Sequence, residues 1–175
     1  MVKGSITMKP EIVPAHVDHI QWLAKNMRPA DIAECAAGGL GPRRALENAL
    51  HRSVAAWTGL VGGKPVCMFG VVPAGDILGG VGAPWFLAAP QIQKHRVMFL
   101  RRNREYLLRM LHIFPHLVDY VDVRHKSAVR WLNWLGFKLD SEPVSFGPLE
   151  MPFYRFEMIA TDRLLTGESV PDPIT

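Results

Sequence analysis

The stretch that most constrains the fold is Val121–Phe137, where three kinds of local structure follow one another within seventeen residues. An apolar strand, Leu117–Val123, runs out just before His125. The next ten residues, Lys126–Leu135, carry apolar groups at helical spacing. Gly136 then stops the helix, and Phe137 begins a new extended run. A strand, a helix and a second strand in such close order form a late β-α-β unit. Earlier in the chain, Ser53–Val61 and Lys64–Val72 are apolar strands joined by Gly62-Gly63, a tight hairpin signal. An early antiparallel hairpin and a late crossover predict an α/β chain, with helices flanking a central mixed, mostly antiparallel sheet.

The remaining segments fit that plan. Ile12-Val13 marks a short first strand, and His16–Met27 is an amphipathic helix. Pro29 and Pro42 each open a further helix, ending near Ala37 and Arg52, because proline's missing N–H is already an orphan at a helix start. Asp76–Gly82 is a glycine-rich connection, and Pro84–Ala89 reads as a buried strand. Pro90–Phe114 is expected to be the longest helix. One stripe of it is Phe99, Tyr106, Met110 and Ile113; the next is Leu100, Leu107, Leu111 and Phe114. Phe137–Asp140 and Phe153–Ile159 are closing strands, joined by a loop rich in proline and glycine.

With 175 residues, 49% of them hydrophobic and 21% charged, the chain has the size and composition of one globular domain. Residues 1–165 are assigned to it and 166–175, acidic with Pro171 and Pro173, to a flexible tail. Val54–Val72, the longest weakly polar run, is interrupted by Gly59, Gly62, Gly63, Lys64 and Pro65, so no membrane span is expected. Met1–Pro10 lacks the apolar core of a signal peptide. Cys35 and Cys67 lack metal-type spacing and read as buried, reduced thiols, so the expected location is cytoplasmic.

The element order, with the segment ending at Gly136-Phe137, resembles the GCN5-related N-acetyltransferase (GNAT) superfamily over roughly residues 9–160. The resemblance implies the GNAT fold, acetyl-CoA or CoA as cofactor, an amine acceptor that the sequence does not name, and no metal. In that superfamily the fourth strand leads into a loop of the pattern Arg/Gln-x-x-Gly-x-Gly/Ala, whose backbone N–H groups cradle a pyrophosphate at a helix N-terminus. Leu87, Ala88 and Ala89 form the approach, and Gln93 takes the first position of the pattern. Its small positions fall on Arg96 and Met98, so side chains of Lys94, His95 and Arg96 are the alternative phosphate ligands. In the late segment Ala128 matches the pattern, His125 stands at its Asn position and Leu132 at its Tyr position, so the tyrosine acid is absent. Pro84–Ala89 carries no carboxylate base. Asp119 and Asp122, on opposite faces of the late strand, and His125 beyond its end are the replacements; His125 and Asp122 are the candidate catalytic pair.

Competing readings remain open. Scattered positions, among them Arg-Arg-x-x-Glu-Tyr-Leu-Leu-x-Met-Leu from Arg101 to Leu111, resemble a GNAT-like family of tailed bacteriophages that includes internal virion or assembly proteins of short-tailed phages. That resemblance implies a catalytically degenerate protein working through protein contacts, in the host cytoplasm or the virion. The paired Trp131 and Trp134 suit burial or an interface, and a homodimer is a further alternative. Nucleic-acid binding by Lys94–Arg109 is disfavoured, because the net charge is only +4 and the helix must bury a wide apolar face. Asp31, Glu34 and Glu150 read as surface charges, with an amine grip as the alternative.

Overall fold

A computed structural model describes residues 9–75 and 77–161. The expected tail over 166–175 and the start of the glycine-rich connection at Asp76 lie outside the described residues. In chain order the elements are β1 (Pro10–Pro14), α1 (Asp18–Lys25), α2 (Pro29–Ala37), α3 (Pro42–Arg52), β2 (Ala55–Val61), β3 (Lys64–Pro73) and β4 (Val81–Ala88). They continue as α4 (Arg96–Ile113), β5 (His116–Asp122), α5 (Lys126–Leu135), β6 (Lys138–Leu139), β7 (Val144–Phe146) and β8 (Met151–Ile159). The strands form one mixed, mostly antiparallel sheet in the order β1-β2-β3-β4-β5-β8-β6, with β7 also on β8.

Strand alternation explains the two layers. On β3, Met68 faces a core shared with Ile20, Leu23 and Leu46 of α1 and α3. Cys67, Phe69 and Val71 face the opposite core, with Phe99, Leu107 and Leu111 of α4 and Leu132 and Leu135 of α5. The expected stop of α5 is present: Gly136 has φ 94°, a left-handed conformation that glycine adopts without strain. Its N–H bonds Asn133 O at 3.0 Å, and the N–H of Phe137 bonds Leu132 O at 3.0 Å.

One break in the sheet matters for function. β4 and β5 run parallel and pair only at Val81↔His116 and Gly82↔Leu117. Beyond Gly82, β4 stays paired to β3 as far as Ala88, while β5 pairs with β8. Pro84 has no N–H to offer a neighbour, so a continuous ladder could not be kept there. The two strands part and leave a wedge across the middle of the sheet. α2 covers its far end: Arg28 N–H donates to Ala88 O at 2.8 Å, and the Ala88 N–H donates to Asp31 Oδ2 at 2.8 Å.

Three expectations need correction. The long helix starts at Arg96, because Pro90–His95 winds as a tighter 3₁₀ turn that seats Ile92 in the core. Its buried face includes Asn103, whereas Ile113 is exposed. The loop after β6 contains a three-residue strand, β7, whose pairing to Met151–Phe153 the flanking prolines and glycine had hidden.

Candidate active site

Two cavities meet at the wedge. The first, about 320 Å³, reaches between β4 and β5; its walls include Trp85 and Phe86 of β4, Asp119 and Tyr120 of β5, Glu34 of α2 and His125. The second, about 650 Å³, lies between α4 and α5 and is lined by Gln93, Arg96, Arg101, Arg104 and Arg130. Among the described residues no carboxylate pairs with these four arginines. Arg104 lies 6.0 Å from the ring centroid of Trp134. Phe86, Asn103 and Trp131 line both cavities and so mark their junction. There, Asn103 Oδ1 and Trp131 Nε1 are buried without a hydrogen-bond partner among the described residues. Orphaned polar atoms of this kind are rare and each needs a reason.

At the end of the wedge lies a charged network. Arg28 Nε donates to Asp31 Oδ2 at 2.7 Å, and Asp31 is fully buried. His125 Nδ1 lies 3.1 Å from Glu34 Oε2 and 3.9 Å from Asp31 Oδ1. Glu34 Oε1 accepts the Asp122 N–H at 3.1 Å. Burial pushes the Asp31 carboxyl above its ordinary range, against the pull of Arg28. Donor atoms of Asp31, Glu34 and His125 all fall within 4.8 Å of one another, so they could hold a cation. A metal-bound imidazole, however, normally donates its second ring N–H to an outer partner, and His125 Nε2 has none. The hydrogen bonds already present tie the cluster into an ionic latch between α2, β4 and the start of α5, although among the described residues Asp31 Oδ1, like His125 Nε2, has no hydrogen-bond partner.

Asp119 sits in different surroundings. It shares a strand face with Leu117 and Val121, opposite Phe156 of β8, and among the described residues its carboxylate accepts one hydrogen bond, from the Tyr120 N–H at 2.8 Å. Solvent reaches it through the cavity, yet the apolar walls push its carboxyl up to about 7. Nearby Glu34 adds a smaller push in the same direction. Cys35 also lines this cavity, but burial pushes its thiol up to about 12, so a thiolate nucleophile is not available near neutrality.

The residues singled out from sequence are only partly brought together. Leu87 lines the first cavity, and Gln93 and Arg96 line the second. Ala88 and Ala89 are fully buried, and both backbone groups of Ala88 are taken, one by Arg28 just before α2 and one by Asp31 within it. Lys94 is exposed and His95 half-buried; neither lines a cavity. His125 lines the first cavity, but Asp122 does not. The Asp122 carboxylate accepts from the Arg124 N–H at 2.8 Å and from its guanidinium, which holds the carboxyl below its usual range. The reading of Asp31 as a surface charge is wrong, because α2 turns it onto the open edge of β4. Asp119, one of the replacement carboxylates read from the sequence, does line the first cavity; Asn103 was overlooked, and its sequence signal was an amide inside the apolar stripe of α4.

No protein-family profile matches the chain, and no curated protein matches it in sequence. Its fold, in contrast, is that of GNAT acetyltransferases. AAC(6')-Ib in complex with ribostamycin and coenzyme A aligns over 94% of this chain and 99% of its own, with TM-score 0.65 and 13% identity. The ribosomal-protein-S5-alanine acetyltransferase of Vibrio fischeri aligns over 87% and 94%, with TM-score 0.62 and 11% identity. A GNAT-family acetyltransferase from Streptococcus pneumoniae aligns over 87% and 100%, with TM-score 0.59 and 10% identity.

Proposed function

We propose that this chain is an acyl-CoA-dependent N-acyltransferase whose cofactor lies across the junction of the two cavities. The observation that carries this reading is the pair of orphaned atoms, Asn103 Oδ1 and Trp131 Nε1, between an arginine-lined groove and a wedge in the sheet. An elongated ligand with anionic groups at one end and amides along its arm suits that donor set. Arg96, Arg101, Arg104 and Arg130 would hold the phosphates by charge-assisted hydrogen bonds, taking over from the glycine cradle. Asn103 would accept an amide N–H, and Trp131 would donate to an amide carbonyl. Bound acyl-CoA supplies an acyl group activated as a thioester.

The remaining work falls to side chains of the first cavity. Asp119, titrating near neutrality, takes a proton from the acceptor ammonium so that the amine can attack. The apolar walls lower the polarity around the carboxyl, and the ionic latch of Asp31, Glu34 and His125 holds α2 against β4. His125 is the second candidate base, but its Nδ1 is engaged by Glu34.

Calorimetric titration of acetyl-CoA into wild type and Trp131→Phe tests the reading. Phenylalanine keeps most of the ring and removes the orphaned N–H. The variant should bind acetyl-CoA about tenfold more weakly while the unliganded protein is at least as stable, since a buried unsatisfied donor costs about 1–3 kcal/mol. Equal affinity for both proteins, or no binding at millimolar ligand, would refute it.

A further inference from the structure

We infer that the first cavity selects an apolar monoamine: a single primary ammonium on a hydrophobic body of aromatic size, without a carboxylate. The inference rests on the acyltransferase reading for the fate of the amine, but not for its binding.

Size comes first. A cavity of about 320 Å³ has room for about ten molecules of water, and so for a small organic molecule. Its walls are mostly apolar, with Trp85, Phe86, Tyr106, Tyr120 and Phe146 offering ring faces and edges. Tyr120 and Phe146 pack with centroids 5.4 Å apart, and Phe146 stacks on Phe153 at 4.5 Å. A hydroxyl-rich or polycationic acceptor would lose its hydration there without enough partners to replace it.

Charge then sets the number of ammonium groups. Of the acidic groups lining this cavity, Glu34 is already committed: one oxygen accepts the Asp122 N–H and the other faces His125 Nδ1. The Asp119 carboxyl accepts one hydrogen bond among the described residues, from its neighbour's backbone, and can still take a ligand ammonium. The aromatic rings can add cation–π attraction for the same cation. One available carboxyl in an apolar cavity is matched to one ammonium.

The cations explain why a carboxylate is refused. Arg28 is the arginine of this cavity, and its Nε is tied to Asp31 at 2.7 Å. An amino acid would bring its carboxylate toward Glu34 and Asp119, and Arg28, the arginine among the described lining residues, already has its charge matched by the buried Asp31 carboxylate. The expected preference therefore departs from the ribostamycin and spermidine named with two similar folds, AAC(6')-Ib and a Vibrio cholerae spermidine N-acetyltransferase chimera.

The test is direct binding of phenethylamine, phenylalanine and spermidine to the purified full chain by calorimetry, with and without saturating CoA, at about pH 8 where a carboxyl titrating near 7 is ionised. Phenethylamine should bind about a hundredfold more tightly than either competitor, the scale of discrimination a site gives when a mismatched group is left unpaired. Asp119→Asn should weaken phenethylamine about tenfold or more and leave acetyl-CoA affinity unchanged. Phenylalanine or spermidine binding as tightly as phenethylamine would overturn the inference. So would phenethylamine failing to bind in both conditions. If phenethylamine binds selectively while acetyl-CoA does not bind, the acyltransferase reading falls and this inference stands. If acetyl-CoA binds and spermidine is the preferred amine, the reverse holds.

Discussion

Replacing Asp119 by asparagine should make the protein more stable and less active at the same time, and only above a certain pH. The carboxyl titrates at about 7 in the folded protein, against an ordinary value of 3.8, with burial as the main cause. Below about pH 4 it is protonated whether the chain is folded or not, so it contributes no pH-dependent term. Between about pH 4 and 7 the unfolded chain has released a proton that the folded chain still holds, so wild-type stability falls as pH rises. Above about pH 7 the full penalty is present, up to about 4 kcal/mol, reduced to about 2 kcal/mol by the solvent that reaches the carboxyl through the cavity. Asparagine is nearly isosteric and still accepts the Tyr120 N–H, so the variant escapes the penalty without losing the bond. Urea unfolding at about pH 5 and about pH 8 measures the difference, which should be small at the lower pH and about 2 kcal/mol in favour of the variant at the higher. Turnover at the higher pH should fall about a hundredfold or more through loss of the base. A variant less stable than wild type at about pH 8, or a difference that does not change with pH, would refute the desolvated-carboxyl account.

Other perturbations probe the parts around it. Asp31→Ala leaves Arg28 and the Ala88 N–H without their partner in a buried place and should cost about 3–5 kcal/mol in urea unfolding; Asp31→Asn, which keeps an acceptor, should cost clearly less. Gly147→Ala should lower stability by more than about 1 kcal/mol, since Gly147 has φ 70° and its new Cβ would press on the Ala37 carbonyl at the end of α2. Arg104→Glu should weaken acetyl-CoA binding tenfold or more in about 0.1 M salt, and the gap from wild type should narrow as salt rises; a salt-independent gap would argue against phosphate contact.

The sheet was legible because its punctuation is local. Gly62-Gly63, with φ 57° and 75°, turns the hairpin, and Gly136 ends α5, each for a reason a single residue carries. The late β-α-β unit needed only apolar periodicity. The start of α4 was hidden because Ile92 has the apolar spacing of a helix while sitting in a 3₁₀ turn. The site was less legible, because it is made by the parting of β4 and β5 rather than by any motif. Asp31 looks solvent-facing until the unpaired edge of β4 gives its carboxylate a buried N–H to accept from. Asn103 reads as an imperfection in an apolar stripe until the junction of the two cavities supplies a use for it. Asp122 and Asp119 look equivalent on one strand, and only the Arg124 side chain and the apolar walls separate an anchored carboxylate from a titratable one.

The most direct test of the central claim is release of free thiol from acetyl-CoA, with phenethylamine as acceptor, followed across about pH 5 to 9. The account expects amine-dependent release whose kcat/KM rises through an apparent pKa near 7, and its loss in Asp119→Asn although acetyl-CoA still binds. Thiol release no faster with amine than without it, in a protein that binds acetyl-CoA and phenethylamine, would contradict the claim that these cavities carry out acyl transfer.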